Sequence, residues 1–125
     1  PLDDAVAMIN LDCVGHGEKL QMGGGKSSPR LWELARKIDA ANDAITIEKS
    51  WWGGGADAQP FFDQGIPTIY FATKDSYTYL HQPGDTPETL NSGLLAAVSM
   101  HLYRVAWAVA SGEYDREERA AREHQ

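Results

Sequence analysis

The chain has 125 residues, 42% of them hydrophobic, and a formal net charge of −7 at pH 7. This size suits one compact domain or one part of a larger domain, and the negative charge argues against nucleic acid and anionic membrane surfaces as partners. Cys13 is the single cysteine, which excludes an internal disulfide bond. No apolar run approaches the roughly 20 residues of a spanning helix, so we expect no membrane span.

The sequence begins at Pro1 and enters an apolar stretch within a few residues, with no initiator methionine and no visible signal peptide. We therefore expect a piece of a longer protein. Its location is unknown, and a secreted or periplasmic parent is one alternative.

Residues 6–14 are almost continuously apolar and predict a buried strand. Because side chains alternate along a strand, Asn10 and Asp12 share one face of it. Residues 19–22 predict a short second strand, which we expect to pair with the first in a hairpin.

Ser28 and Pro29 predict the start of a helix, with the serine as N-cap and the proline at the first helical position. Apolar residues then recur at helical spacing up to Asn42, which gives the helix one apolar face. Residues 44–49 alternate between apolar and polar side chains and predict a further strand.

Trp51 and Trp52 precede three glycines on a predicted loop. Three interpretations fit these large aromatic side chains: they line a substrate pocket, they anchor the core, or they mark a surface that another part of the protein covers. Asp57 predicts the cap of a short helix over residues 57–64. Residues 66–72, which are β-branched and aromatic, predict another buried strand.

Residues 73–84 form a predicted polar loop that carries His81. Asp85 is the predicted cap of the last helix, which has two apolar stripes. His101 lies on this helix at the spacing of its apolar residues, and we assign it to packing.

Strands that alternate with helices predict an α/β fold, here three α/β/α layers around a mostly parallel sheet. Residues 1–112 form this unit, and the charged residues 113–125 predict a tail that is either a solvated helical extension or a frayed end. Sites of such sheets form at the carboxyl ends of the strands. Asp12 lies at one strand end and His81 follows another, so we expect their side chains to meet at one rim of the sheet.

A carboxylate and an imidazole are typical zinc ligands. Each residue taken alone also has an ordinary interpretation: Asp12 fits a carboxylate that caps a neighbouring turn, and His81 fits a loop histidine without a ligand. The sequence around them decides between these interpretations, because four segments follow one another in a single order. They are Met8–Gly15, Gly55–Phe61, Gly65–Thr68 and His81–Thr86.

In their order and spacing these segments resemble the C-terminal half of the co-catalytic double-zinc aminopeptidases, a family that includes glutamate carboxypeptidase and the transferrin receptor ectodomain. The resemblance covers roughly residues 5–111. It implies a partial zinc-peptidase domain whose parent hydrolyses the peptide bond next to a free N-terminus, with zinc-bound hydroxide as nucleophile.

The resemblance also implies roles for individual residues. Asp12 matches the family's ligand of one zinc and His81 its ligand of the other. Asn10, Asp57 and Asp85 are candidates to support these ligands by hydrogen bonds, and both Asp57 and Asp85 also fit helix caps.

The family's other ligands and its general base come from an upstream His-x-Asp motif and Glu-Glu pair. This chain has no His-x-Asp, and its only Glu-Glu, Glu117-Glu118, lies in the tail. A catalytic zinc needs three protein ligands and a water molecule. We therefore expect no aminopeptidase activity, and at most weak zinc binding, from this chain alone.

The chain departs from the family pattern beside the histidine. Many members have a tyrosine there, whose hydroxyl polarises the scissile carbonyl. Leu80 occupies that position here, and Tyr79 or Tyr77 is the alternative for the role.

The alternative function is a non-catalytic, peptidase-like interaction module. The presence of both Asp12 and His81 favours descent from an active enzyme, because a pure binding module has no physical need of them. The expected partners are a peptide substrate in the parent and, through a sheet edge left open, a second copy or the upstream half.

Overall fold

The computed structural model describes residues 2–47, 50–75, 77–118 and 120. Its strands are β1 (Met8–Leu11), β2 (Leu20–Gly23) and β3 (Thr68–Thr73), and its helices are α1 (Pro29–Ala40), α2 (Gln59–Asp63) and α3 (Ser92–Ala110). Single 3-10 turns lie at Leu2–Asp4, Ala56–Ala58 and Pro87–Thr89. The predicted α/β class is confirmed.

β3 is the central strand of a mixed sheet with the order β1-β3-β2. β1 runs parallel to β3, with Asn10 opposite Tyr70, and β2 runs antiparallel, with Met22 opposite Phe71. Every residue of β3 is buried, as expected for a strand covered on both faces. The predicted hairpin between the first two strands is wrong, because β3 is inserted between them.

α1 begins at Pro29, as predicted, but Ser28 does not cap it with its side chain. The Ser28 hydroxyl instead accepts a hydrogen bond from the backbone N–H of Thr68 at 3.2 Å. Glu117 takes the capping role from far along the sequence: its carboxylate accepts from the backbone N–H groups of Arg30 at 3.1 Å and Leu31 at 2.9 Å. A negative charge at a helix N-terminus is also favourable for the helix dipole.

α3 begins later than predicted, because its cap is Asn91 and not Asp85. The Asn91 side chain accepts a hydrogen bond from the N–H of Leu94 at 3.1 Å and donates one to the carbonyl of Gly17 at 2.9 Å. This long-range contact fixes the cap beside the turn that follows β1. The sequence just before it forms only the 3-10 turn Pro87–Thr89.

By length and composition, the 19 residues of α3 could cross a membrane. The helix therefore departs from the expectation that no apolar run approaches that length. A core helix meets the same criteria, and Leu94, Val98 and Val105 of α3 lie in the hydrophobic core. The absence of a membrane span stays a prediction.

The strand predicted over residues 44–49 is reduced to one bridge, between Thr46 and Leu20, in the described part of the chain. Residues 48 and 49 lie outside that part. The Asp39 carboxylate accepts hydrogen bonds from the backbone N–H groups of Ile45 and Thr46 at 3.0 and 2.9 Å. A side chain therefore satisfies amides that a longer strand would use in the sheet.

The two faces of the sheet pack against different partners. One face carries Phe71 and packs against α1 and α3 in the main core. The opposite face carries Tyr70, which packs with Ala58 in a smaller cluster. His101 is 1% exposed and its ring meets that of Phe71 at 5.6 Å, edge to face. Its assignment to packing is confirmed.

The tail is not helical over residues 113–118, contrary to the predicted helical extension. α3 ends because Gly112 has a φ of +84°, and the N–H of Glu113 then bonds to the Ala108 carbonyl at 3.0 Å. Tyr114 and Glu117 turn back and are buried against the N-terminus of α1. Residues 119 and 121–125 lie outside the described part.

Candidate functional site

A cleft of about 480 Å³ opens on the face of the sheet away from α1 and α3. Asp12 lies in it, one residue beyond the end of β1, together with Tyr70 of β3. The glycine loop that follows Trp51 forms another wall, and Asp75 and Tyr77 complete it after the end of β3. The cleft therefore forms at the carboxyl ends of the two parallel strands, where sites of α/β sheets are expected.

The carboxylate of Asp12 is held by two neighbours. Its Oδ2 accepts a hydrogen bond from the Tyr70 hydroxyl at 2.5 Å, and its Oδ1 accepts one from the Cys13 thiol at 3.2 Å. Burial, followed by the bond to Asp12, raises the pKa of the Tyr70 hydroxyl. Burial and the same carboxylate raise the pKa of the Cys13 thiol to about 11. Both donors therefore keep their protons at neutral pH, and the carboxylate is oriented with lone pairs left for a further ligand.

His81 is exposed, and it is not among the residues that line the cleft. The residues just before it nevertheless lie against the end of β1, because Tyr79 and Leu80 share a small cavity of about 100 Å³ with Cys13. The Tyr79 ring also meets the His16 ring at 5.1 Å, edge to face. The loop of His81 is thus packed beside Cys13, but Asp12 and His81 do not line the same cavity, contrary to the expectation that their side chains meet. The role of the imidazole as a zinc ligand stays a prediction.

The described residues do not by themselves form a zinc site. Within the described part of the chain, no group of three or more His, Cys, Asp or Glu side chains is placed to hold a metal ion. A protein zinc site needs at least three such ligands. Asp12 offers suitable oxygen chemistry, but any zinc held there requires ligands from elsewhere.

Left-handed backbone is concentrated around the cleft and the loop of His81. Non-glycine residues with positive φ include Cys13 at 52°, Ala56 at 43°, Asp75 at 65° and His81 at 58°. Such conformations are uncommon outside glycine and cluster at functional sites, where the surrounding structure enforces them. Their positions support the assignment of this region as the functional site.

Three residues were predicted to support the ligands. Asn10 is 6% exposed, and its Nδ2 has no hydrogen-bond partner among the described residues. Asp57 is exposed and does not cap the 3-10 turn Ala56–Ala58. The N-cap residue of that turn is Gly55, and no side chain forms a capping hydrogen bond there. Asp85 lines the small cavity with Cys13, whose pKa it helps to raise. None of these positions tests a supporting role, which stays a prediction for all three.

Of the four aromatic candidates, two line the cleft and two do not. Trp51 lines the cleft and Trp52 does not. Tyr77 also lines the cleft and contributes to the raised pKa of the Tyr70 hydroxyl, whereas Tyr79 lines the small cavity. The geometry thus favours Trp51 for a substrate contact, and it favours Tyr77 over Tyr79 as a hydroxyl that faces the cleft.

Sequence reasoning missed Tyr70, Gln21 and Asp75, which also line the cleft. A signal for Tyr70 was present: it is the one tyrosine in an otherwise apolar strand, at a position that alternation places on a single face. Gln21 had no comparable signal, because its position depends on the antiparallel pairing of β2 with β3. Asp75 had none either, because it follows the end of β3 on a left-handed turn.

Comparisons with known proteins agree with this geometry. The sequence model of peptidase family M28 matches residues 1–106, which confirms the resemblance inferred from the four segments. The aminopeptidase from Aneurinibacillus sp. strain AM-1 has 18% identity and a TM-score of 0.75, with 99% of this chain and 29% of that chain covered. BSAP, a zinc aminopeptidase from Bacillus subtilis, has 25% identity and a TM-score of 0.67, with coverages of 87% and 29%.

No curated protein sequence matches the chain. The chain spans less than a third of the length of the two solved aminopeptidases.

Proposed function

Since this chain belongs to peptidase family M28, we propose that it forms part of the catalytic domain of a zinc-dependent aminopeptidase. The complete domain would hydrolyse the peptide bond next to a free N-terminus. The observation that carries the proposal is the position of Asp12, whose oriented carboxylate lies in a cleft at the carboxyl ends of β1 and β3.

In this proposal, Asp12 and His81 each supply one ligand to one of two zinc ions. The remaining ligands and the general base come from sequence that this chain does not contain. Because the described residues do not complete a zinc site, we assign no step of the hydrolysis to them. The 125-residue chain alone is then inactive and binds zinc weakly.

The proposal also includes a surface for the rest of the domain. β1 is an edge strand, since the described residues pair it only with β3. Leu11 at its end and Val6 just before it are 37% and 39% exposed. An open edge with exposed apolar side chains favours pairing with another strand, from the upstream half in the parent or from a second copy when the chain is alone.

The experiment mixes this chain with the upstream half of the parent protein and measures zinc-dependent release of an N-terminal leucine. We expect activity only in the mixture with zinc. Asp12→Ala and His81→Ala should each lower it at least about a hundredfold, because a lost ligand disables the metal. Asp63→Ala, an exposed carboxylate of α2 outside the cleft, is the matched control and should leave the activity unchanged.

Two results would contradict the proposal. If the halves associate but show no zinc-dependent hydrolysis, the non-catalytic module is the better description. If isothermal titration shows sub-micromolar zinc binding by this chain alone, lost in Asp12→Ala, the expected incompleteness of the site is wrong.

A further inference from the structure

We infer that the cleft binds the positively charged side chain of a lysine or arginine residue. The inference rests on the proposed function only in taking the ligand to be part of a peptide. It concerns the side-chain preference of the cleft.

The described charges of the cleft are of one sign. Asp12 and Asp75 are its charged lining residues, and no Lys, Arg or His among the described residues lines it. Asp75 is exposed, and the described residues give its carboxylate no hydrogen bond or ion pair. Lys74, its neighbour in sequence, is outside the lining. A cation that enters the cleft therefore meets two carboxylates and none of the described cationic side chains.

Asp75 carries this argument even if Asp12 binds zinc in the complete domain. A zinc ion would neutralise Asp12, but Asp75 was not predicted as a ligand and follows the end of β3 on a separate turn. The left-handed φ of 65° at Asp75 places the residue in the cleft lining and not in the sheet. Its carboxylate is thus available to the substrate in both situations.

The aromatic walls fit the same ligand. Trp51 and Tyr70 meet at 6.3 Å with an interplanar angle of 63°, and Tyr77 lines the cleft beside them. The Tyr70 hydroxyl donates a hydrogen bond to Asp12, and this bond fixes the Tyr70 ring in the wall of the cleft. Rings arranged around a carboxylate attract ammonium and guanidinium groups through their negative faces. A neutral apolar side chain would use the rings but not the carboxylate.

The size of the cleft suits one long side chain. Its volume of about 480 Å³ lies within the range of small-molecule sites. Gly54 and Gly55 form part of its wall and present no side chain to the space. The aliphatic stem of lysine or arginine can then lie along Trp51 while its charged end reaches Asp75.

The test titrates the 125-residue chain with three probes and follows the Trp51 indole N–H by NMR. The probes are N-acetyl-lysine amide, its neutral counterpart N-acetyl-norleucine amide, and leucine amide, whose only cation is the N-terminal ammonium. We expect the lysine probe to bind about tenfold more tightly than the norleucine probe. Asp75→Asn should lower that preference about threefold. Trp51→Leu, followed through the backbone amides of Gly54 and Gly55 in the cleft wall, should lower it further.

Asp115→Asn is the matched control, because it makes the same change of charge in the tail, outside the cleft. It should bind all three probes as the unaltered chain does. Equal binding of the lysine and norleucine probes would overturn the inference, as would an unchanged preference in Asp75→Asn. Stronger binding of leucine amide than of the lysine probe would also overturn it, by assigning the cleft to the N-terminal ammonium.

These outcomes are independent of hydrolysis. A lysine preference together with an inactive mixture of the two halves would contradict the proposed aminopeptidase activity alone. An active mixture without a lysine preference would contradict the present inference alone.

Discussion

The two faces of the sheet hold their carboxylates in different ways. On the face covered by α1 and α3, the buried carboxylate of Glu117 accepts from two backbone N–H groups of α1 and from the Tyr114 hydroxyl at 2.8 Å. On the cleft face, Asn10 is buried with an unpaired Nδ2 within the described structure, and Asp12 keeps free lone pairs. The first arrangement stabilises this chain, and the second leaves hydrogen-bonding capacity at Asn10 and Asp12 that the described residues do not use.

The largest effect is expected where the tail caps α1. Glu117→Ala removes the acceptor of the Arg30 and Leu31 amides and leaves the Tyr114 hydroxyl without its partner. We expect the free energy of unfolding to fall by about 3 kcal/mol, since a cap and buried charged hydrogen bonds are lost together. Urea denaturation followed by circular dichroism measures it.

The matched control is Glu118→Ala, which removes an exposed carboxylate from the next position. It should change stability by less than about 0.5 kcal/mol. If the two substitutions lower the free energy of unfolding equally, the capping of α1 by Glu117 does not stabilise the chain.

A smaller effect is expected at the cleft. Tyr70→Phe removes the hydroxyl that donates to Asp12 and should lower stability by about 1 kcal/mol, the usual net value of one hydrogen bond. Water can replace the lost donor because Asp12 is only partly buried. Tyr77→Phe, at a residue that is 55% exposed, is the comparison for denaturation. A loss in Tyr70→Phe as large as that in Glu117→Ala would abolish the contrast between the two faces.

Local sequence signals predicted the elements that local contacts decide. Pro29 marks the start of α1 as expected, and Asp12 follows the carboxyl end of β1. The expectation that this first strand is buried is wrong, because β1 lies at the edge of the sheet and only Asn10 in it is buried. The errors have long-range causes. The predicted hairpin fails because β3 is inserted from the later sequence, and the cap of α3 moves to Asn91 because the carbonyl of Gly17 lies beside it.

In the site, too, residue types were predictive and long-range contacts were missed. Trp51 was a candidate because a large aromatic side chain on a loop suits a pocket, and Tyr77 because the family resemblance implies a tyrosine near the histidine. Both line the cleft. Asp75 was missed because only the end of β3 and a left-handed turn bring it there. The capping of α1 by Glu117 was missed because the sequence around Glu117 is typical of a solvated charged tail.

The pH dependence of stability tests the helix-covered face at His101. Burial lowers the pKa of this imidazole below 6.5, with Arg104 adding to the effect while Asp39 and Asp43 oppose it. As pH falls below 6.5, the unfolded chain gains a proton that the folded chain resists, so stability decreases down to the folded-state pKa. Its two ring nitrogens have no hydrogen-bond partner in the described part of the chain, which agrees with a neutral ring.

Urea titrations at pH values from 8 to 5 measure this dependence. His101→Phe should keep the contact with Phe71 and lose the decrease in stability that begins below pH 6.5. The difference in stability between the two proteins should be constant above that pH. A decrease of equal size in the variant would assign the pH dependence to other groups.

The smallest effect on stability is expected at the cleft face beside Cys13. The measurement there is the rate at which the Cys13 thiol is alkylated. The pKa of its thiol is raised from 9.0 to about 11 by burial and by Asp12, so its thiolate is about a hundredfold scarcer at pH 8 than that of an ordinary cysteine. Alkylation by iodoacetamide at pH 8 should therefore be slow in the native chain and fast in urea. Asp12→Asn removes the charge and should accelerate native alkylation about tenfold, with little loss of stability. If alkylation of the variant is no faster, burial alone protects the thiol and Asp12 does not organise this end of β1.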